Sequence, residues 1–226
     1  MTSQTPEPMV SERSTGKRGY GGRSAQVLLL ERRQRLLEAG LSLFCSQGYQ
    51  KTRIDHLCTE AKVTPRHFYE QFATKEDLLR AIYEQVIGYA RAQVQSALTT
   101  PGMAPQALIN EGIRAFVRAY TDDPRYARLA CIEVVGVSEA LAQRRSAVIH
   151  EFASVVEAYA DGMARAGLLP VRNYRLACVG MVGAVNELMS DWLSVDSPPT
   201  VAVLTDELLL MFQAMIRGAQ LLHGSN

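Results

Sequence analysis

The sequence of 226 residues has no apolar run of the ~20 residues that a membrane-spanning helix needs. Its N-terminus is polar, with Pro6 and Pro8 among scattered charges, and it shows no hydrophobic segment of a secretory signal. We therefore expect a cytoplasmic protein that does not bind a membrane.

Groupings of residues that indicate catalysis or metal binding are also missing. The four histidines, His56, His67, His150 and His223, are scattered and form no HExxH motif or other metal-binding spacing. No glycine-rich phosphate loop follows a strand, and there is no nucleophile elbow. We expect no enzymatic activity, no cofactor and no metal site.

The cysteines are few and widely spaced. Cys45, Cys58, Cys131 and Cys178 include no CxxC pair. In a cytoplasmic protein, free cysteines at apolar positions usually serve as small hydrophobic residues. A redox-sensing pair of Cys131 with Cys178 stays open as an alternative.

Lysine is absent beyond residue 75, and the charge is divided unevenly. Residues 1–75 hold 12 Lys and Arg against 7 Asp and Glu, whereas residues 76–226 hold 12 against 16. A cationic front and an acidic remainder suit a protein in which one domain contacts phosphates. Residues 1–24 are rich in Pro, Ser, Thr and Gly and carry four basic residues, which predicts a flexible tail. The tail is either solvated or an arm that reaches DNA.

The rest of the chain predicts an all-α protein of about nine helices. Apolar residues recur at helical spacing, with no strand alternation and no repeat. Breaks fall at 99–105, 122–124, 167–170 and 194–199. The predicted long helices are 27–47, 74–98, 105–121, 125–135, 138–166, 173–193 and 201–222.

Residues 52–83 predict two short helices and the start of a long third one. Thr52 is followed three residues later by Asp55, and Thr74 by Asp77, so each pair can satisfy the free amides of a first helical turn. Thr64-Pro65 fits the N-cap and first position of the short second helix. Such a helix pair with basic, hydroxyl and aromatic groups outside suits major-groove recognition.

This region resembles the DNA-binding domain of the TetR family of transcriptional regulators. The family pattern is matched by Val63-Thr64, Phe68-Tyr69, Phe72 and Lys75-Glu76-Asp77-Leu78, after an amphipathic helix that ends at Gly48-Tyr49. One departure is Lys62, where the family usually has glycine, so this residue must tolerate an awkward backbone or adds a phosphate contact.

The resemblance implies a three-helix DNA-binding domain at 25–75 and a helical ligand-binding and dimerisation domain at 76–226. The expected partners are a double-stranded DNA operator, a small-molecule effector and a second copy of the chain, paired through the last two helices. We expect phosphate contacts from Thr52, Tyr69 and Lys75, and reading of base edges by Pro65, Arg66 and His67. Arg53 and Thr64 complete the predicted DNA-binding set.

The predicted dimer helices carry small residues near Gly180 and Gly183, and an apolar stripe that includes Leu204 and Leu208. That stripe is an interface or part of the core. Aromatic or flexible side chains with a few polar atoms among the central helices are candidate ligand contacts or simple core. They are Phe116, Tyr120, Cys131, Met163, Met181, Asn186, Met189 and Trp192.

The sequence thus indicates a regulator, expected to be a repressor because repression is the commoner mode in the family. Release from a palindromic operator by a small hydrophobic ligand is the leading interpretation. A thiol sensor that uses Cys131 and Cys178, or a regulator without a small-molecule ligand, is the alternative. Asn186 and Glu187 are polar within an apolar helix, and either orient a ligand, pair across the dimer or face water.

Overall fold

The computed structural model describes residues 24–223, and this part of the chain is all-α. The predicted basic tail lies outside it, apart from Ser24, whose hydroxyl caps the first helix. The helices are α1 (Ala25–Gln47), α2 (Ile54–Ala61), α3 (Pro65–Tyr69), α4 (Lys75–Leu98), α5 (Pro105–Thr121), α6 (Pro124–Arg128), α7 (Glu139–Arg165), α8 (Arg175–Ser194) and α9 (Val201–His223). The predicted helices are confirmed to within about two residues, except for 125–135.

In that exception, α6 continues into a π-helical turn, Leu129–Glu133. The amide of Val134 donates to the carbonyl of Leu129, five residues back, at 3.2 Å. Such wider turns are uncommon and occur often at functional sites. Apolar spacing does not distinguish them from an ordinary helix.

Helices α1 to α3 fold against the start of α4. α1 contributes Leu36 and Phe44, α2 contributes Leu57 and α3 contributes Phe68, and none of these side chains has exposed surface. Each is an apolar residue on one side of an amphipathic helix, so burial selects this arrangement. Above this unit α4 packs along α5, α7 packs along α8, and α9 packs against α5.

Two predicted helix starts are confirmed and one is wrong. The Thr64 hydroxyl accepts from the His67 amide, and Thr74 forms a full capping box with Asp77. Thr52, however, does not cap α2, because Arg53 occupies that position and makes no side-chain cap bond. The Thr52 side chain is buried, and its hydroxyl donates to the Gly48 carbonyl at 2.9 Å. A carbonyl at the end of α1 has no helical partner, so it draws the hydroxyl inward.

None of the helices in residues 24–223 combines the length and apolarity that a bilayer span requires.

Candidate DNA interface and ligand cavity

Helix α3 presents a short outward surface on a rigid base. Phe68 is fully buried, and it holds the helix against the domain core. Thr64 and Pro65 at the helix start are exposed, as is Tyr69, which is 58% exposed. The Arg66 side chain is 87% exposed. The four residues therefore lie where a duplex could reach them.

Local bonds already hold two of the polar side chains on α3. The Nε of Arg66 donates to Oε1 of Glu70 at 3.1 Å, and His67 Nδ1 lies 3.0 Å from the Thr64 hydroxyl. An exposed pair of this kind contributes little to stability. It holds the Arg66 guanidinium beside Glu70 in the free protein.

The predicted phosphate contacts Thr52 and Lys75 point into the protein. Lys75 Nζ donates to the carbonyls of Tyr49 and Thr52 at 2.8 and 2.9 Å, and it lies 4.1 Å from the centre of the Tyr49 ring. Burial lowers the pKa of Lys75. The Thr52 hydroxyl is bonded internally, so its assignment as a phosphate contact is corrected. Lys75 closes the loop before α2 with two of its three N–H groups.

Two exposed basic residues stand at the two ends of α2: Arg53, which is in the predicted DNA-binding set, and Lys62, which is not. Lys62 ends α2 in the left-handed region at φ 53° and ψ 49°, and it is exposed. Val63 donates to the Cys58 carbonyl at 3.0 Å across this turn. Arg53, at the start of α2, is also exposed. The sequence predicted that a lysine at this usual glycine position must tolerate an awkward backbone, and the left-handed conformation of Lys62 confirms it.

The DNA-binding unit and the helical body are joined by polar bonds from α6 and its π-helical turn. Glu133 is 8% exposed, and its Oε2 accepts from the Tyr49 amide at 2.9 Å. Oε1 of the same carboxylate accepts from Arg128 at 3.1 Å. The Cys45 thiol donates to the Arg125 carbonyl at 3.3 Å. None of these contacts follows from helical periodicity.

The body contains an apolar cavity of about 180 Å³. It lies among α4, α5, α7, α8 and α9, and Arg172 is the one charged side chain of the described residues that lines it. Phe116, Met163 and Met181 from the predicted ligand set contribute to its wall. Leu208 and Phe212 of α9 also line it, and the sequence had left the Leu208 stripe open as an interface or as part of the core. Leu204 and Leu208 are buried within the chain.

A second cavity of about 30 Å³ lies next to the first, since both have Phe116, Phe152 and Val182 in their walls. Four more predicted ligand residues line it: Tyr120, Cys131, Asn186 and Met189. Trp192 lines neither of these two cavities. Its indole Nε1 donates to the Pro199 carbonyl at 2.7 Å, because a tryptophan N–H near the surface takes a nearby backbone acceptor. Arg145, which also lines the second cavity, was not predicted.

Burial makes the thiols weakly reactive. It raises the pKa of Cys131 to about 11, and neighbouring Arg145 partly offsets that shift. Burial also raises the pKa of Cys178. The two cysteines belong to different apolar clusters of the core. Within residues 24–223 no group of His, Cys, Asp or Glu side chains is placed to hold a metal ion.

The outer side of α8 and α9 is apolar and open. Leu176 is 86% exposed and Leu210 is 58% exposed. Gly180 and Gly183 face open space, because a Cβ added at either would meet no atom within 4 Å. A helix with small residues on its outer side allows a neighbouring helix to approach closely.

Comparisons of the sequence agree with this geometry. The model of the family described as bacterial regulatory proteins, tetR family, matches residues 36–82. The transcriptional regulator RutR of Escherichia coli K12 is 24% identical over 196 residues, which is 86% of this chain and 87% of RutR. The transcriptional activator FasR of Mycolicibacterium smegmatis is 27% identical over 190 residues, 83% of this chain and 85% of FasR.

Solved structures share the fold. The fatty acid degradation regulator FadR of Bacillus halodurans aligns with a TM-score of 0.73 at 15% identity, over 82% of this chain and 94% of FadR. FadR of Bacillus subtilis with stearoyl-CoA has a TM-score of 0.67 at 16% identity, over 79% of this chain and 96% of that FadR. AibR with isovaleryl coenzyme A and operator DNA has a TM-score of 0.63 at 18% identity, over 80% of this chain and 97% of AibR.

The helix-turn-helix with its exposed α3, the helical body behind it and these similarities lead to one conclusion: residues 36–82 carry the DNA-binding domain of the tetR family, and the chain is a DNA-binding transcriptional regulator.

Proposed function

We propose that the protein is a dimeric repressor that binds a palindromic operator and is released by a small, mainly apolar ligand. Residues 25–75 read the DNA, and residues 76–226 bind the ligand and form the dimer. The observation that carries the proposal is the pairing of an exposed α3 with a cavity in the body, joined through α6 and its π-helical turn.

The DNA contacts are assigned by exposure and chemistry. Arg66 and His67 read base edges, assisted by apolar Pro65, while Tyr69 and Arg53 contact phosphates. Thr64 orients His67 through its hydroxyl. Arg66 leaves Glu70 when it binds a base, and this exchange costs little because the pair is exposed.

The ligand is assigned by the composition of the main cavity. Its lining is almost entirely aliphatic, aromatic and thioether side chains, which favours a ligand with an apolar body. Two proteins of the same fold have been solved with acyl-coenzyme A molecules, whose acyl chains are apolar. The ligand site of this chain is therefore proposed around Phe116, Met163 and Met181.

The dimer is assigned to the open apolar side of α8 and α9. Leu176 and Leu210 would leave water on pairing, and Gly180 and Gly183 would permit close approach. Two copies of α3 must then lie about one helical turn of DNA apart, or a multiple of it. A palindromic operator follows from this two-fold symmetry.

Release from the operator requires that the ligand bind one conformation of the dimer more tightly than the other. A ligand that favours one separation of the two DNA-binding units weakens operator binding by its preference for that state. A coupling of about 3 kcal/mol corresponds to roughly a 150-fold change in affinity. The bonds from Glu133 to Tyr49 and from Cys45 to Arg125 are the proposed connection.

The test is selection of genomic DNA fragments by the purified protein as salt is raised. Retention of a short palindrome at physiological salt supports a dimeric, sequence-specific regulator and supplies a probe for ligand release. Binding that disappears uniformly with salt means phosphate contact alone and contradicts the proposal. A reporter driven from the selected palindrome then separates repression from activation.

A further inference from the structure

The second, smaller cavity is lined by an arginine whose side chain is partly buried. Arg145 lines it, and the Nε of Arg145 is buried with no hydrogen-bond partner. No carboxylate of the described residues pairs with this guanidinium. Leaving a buried donor unsatisfied is costly, so such a group usually bonds to protein, to water or to a bound ion.

The neighbouring arginine shows how a structural guanidinium in this helix is satisfied. Arg144 donates to Glu84 on α4 at 2.9 Å and to Glu151 on α7 at 2.7 Å. Arg145 is one residue further along and turns towards the cavity instead. Arg144 therefore links α7 to α4 through its ion pairs, whereas Arg145 faces an internal cavity.

The surroundings of Arg145 suit an anion that arrives from outside. The cavity wall carries Asn186, Tyr83 and Tyr120 as polar neighbours, and no acidic residue in the described part of the chain lines either cavity. Glu187 acts electrostatically on the adjacent Cys131, but its side chain is exposed and does not pair with Arg145. Burial within the protein strengthens the attraction between a cation and an incoming anion.

The second cavity lies beside the main one. Phe116, Phe152 and Val182 contribute to both walls. For a molecule whose body lies in the apolar cavity to place one end beside Arg145, these shared side chains must move apart. The small volume, about 30 Å³, admits a compact group only.

We propose that the effector is an amphipathic carboxylate, with its apolar body in the main cavity and its carboxylate on Arg145 and Asn186. The inference rests on the proposed function and names the chemical class of its ligand. A guanidinium forms paired hydrogen bonds with a carboxylate, and the Asn186 amide supplies a further donor.

The test compares octanoate with octan-1-ol, two probes with the same chain and different head groups. Binding is measured by titration calorimetry on the full chain, and release is measured on the selected operator. We expect wild-type protein to bind octanoate about tenfold or more tightly than octan-1-ol, since a hydrogen bond to a charged group contributes on that scale.

Two arginine variants locate the head group. Arg145→Met keeps most of the apolar side-chain volume and should remove the preference for octanoate while leaving octan-1-ol binding within about twofold. Arg172→Met is the matched control, because it removes the charged residue that lines the main cavity and should leave the preference intact. Arg145→Lys, which keeps the charge without the paired geometry, should give an intermediate preference.

The outcomes separate this proposal from the broader one. Equal binding of acid and alcohol by wild-type protein overturns the carboxylate proposal, whatever the variants do, and leaves an apolar ligand site in place. Loss of the preference in Arg172→Met but not in Arg145→Met also overturns it. If neither probe binds while the operator is still retained, both the carboxylate proposal and the apolar ligand site fail.

Discussion

Glu133 and Tyr49 are 84 residues apart in the sequence, yet the carboxylate of the first accepts a hydrogen bond from the amide of the second at 2.9 Å. Glu133 closes the π-helical turn after α6, and Tyr49 lies in the loop between α1 and α2. Lys75, at the start of α4, donates to the carbonyl of the same Tyr49. One residue of the DNA-binding unit is thus bonded on both sides, to the body and to the connecting helix.

Replacing Glu133 by Ala should lower the free energy of unfolding by about 1–3 kcal/mol, because a partly buried amide and Arg128 both lose their acceptor. The change should also weaken the effect of ligand on operator binding. Chemical denaturation and operator titration with and without ligand measure the two effects. Arg128→Ala is the comparison, because it removes the ion pair of Glu133 and leaves the bond to the Tyr49 amide in place. Equal effects of the two substitutions would show that the Tyr49 contact is unimportant.

Arg66 and Lys75 should behave differently when replaced. Arg66→Ala should leave stability unchanged, cost about 1–3 kcal/mol of operator binding and relax the preference at one base pair. Lys75→Met should reduce the free energy of unfolding by about 1–3 kcal/mol, because two backbone carbonyls lose a charged donor. Thermal unfolding without DNA measures the loss of stability. Binding to a panel of operator variants measures the loss of affinity and of base preference. A Lys75→Met protein of wild-type stability would return that lysine to the phosphate contacts.

Lys62→Gly should stabilise the free protein by up to about 1 kcal/mol, because glycine adopts the left-handed backbone at φ 53° without a Cβ penalty. Thermal unfolding measures this gain. If Lys62 also contacts a phosphate, the slope of log affinity against log salt should fall by about one. Lys62→Asn is a suitable control, since asparagine tolerates the conformation better than most residues and also removes the charge. A destabilised glycine variant would contradict the strain argument.

Mild peroxide should leave operator binding unchanged. A thiolate is the reactive form, and burial raises the pKa of Cys131 to about 11, so almost none is present near neutral pH. Cys178 has its pKa raised by burial as well, and it lies in a separate cluster. Operator affinity is measured by titration before and after treatment. The intact mass of the protein records how much oxidation has occurred. Loss of binding that Cys131→Ser prevents would restore the thiol-sensor alternative.

Local chemistry in the sequence predicted the helices and much of the DNA-binding unit. Thr64-Pro65 and Thr74 with Asp77 are caps that act within one turn, so neighbouring residues suffice to predict them. The same reasoning failed at Thr52, where the deciding partner was the carbonyl of Gly48 at the end of another helix. The π-helical turn was missed because its apolar positions fit an ordinary helix equally well.

The sequence by itself determined the all-α fold, the helix-turn-helix and an apolar body, because helix periodicity, caps and turns depend on residues a few positions apart. Only the tertiary structure decided that Trp192 lines neither cavity, that Lys75 turns inward and that Arg145 faces an internal space without a carboxylate. Each of these depends on which groups from distant helices meet one side chain. Periodicity indicates which side of a helix is buried, whereas packing against the other helices decides what that side contacts.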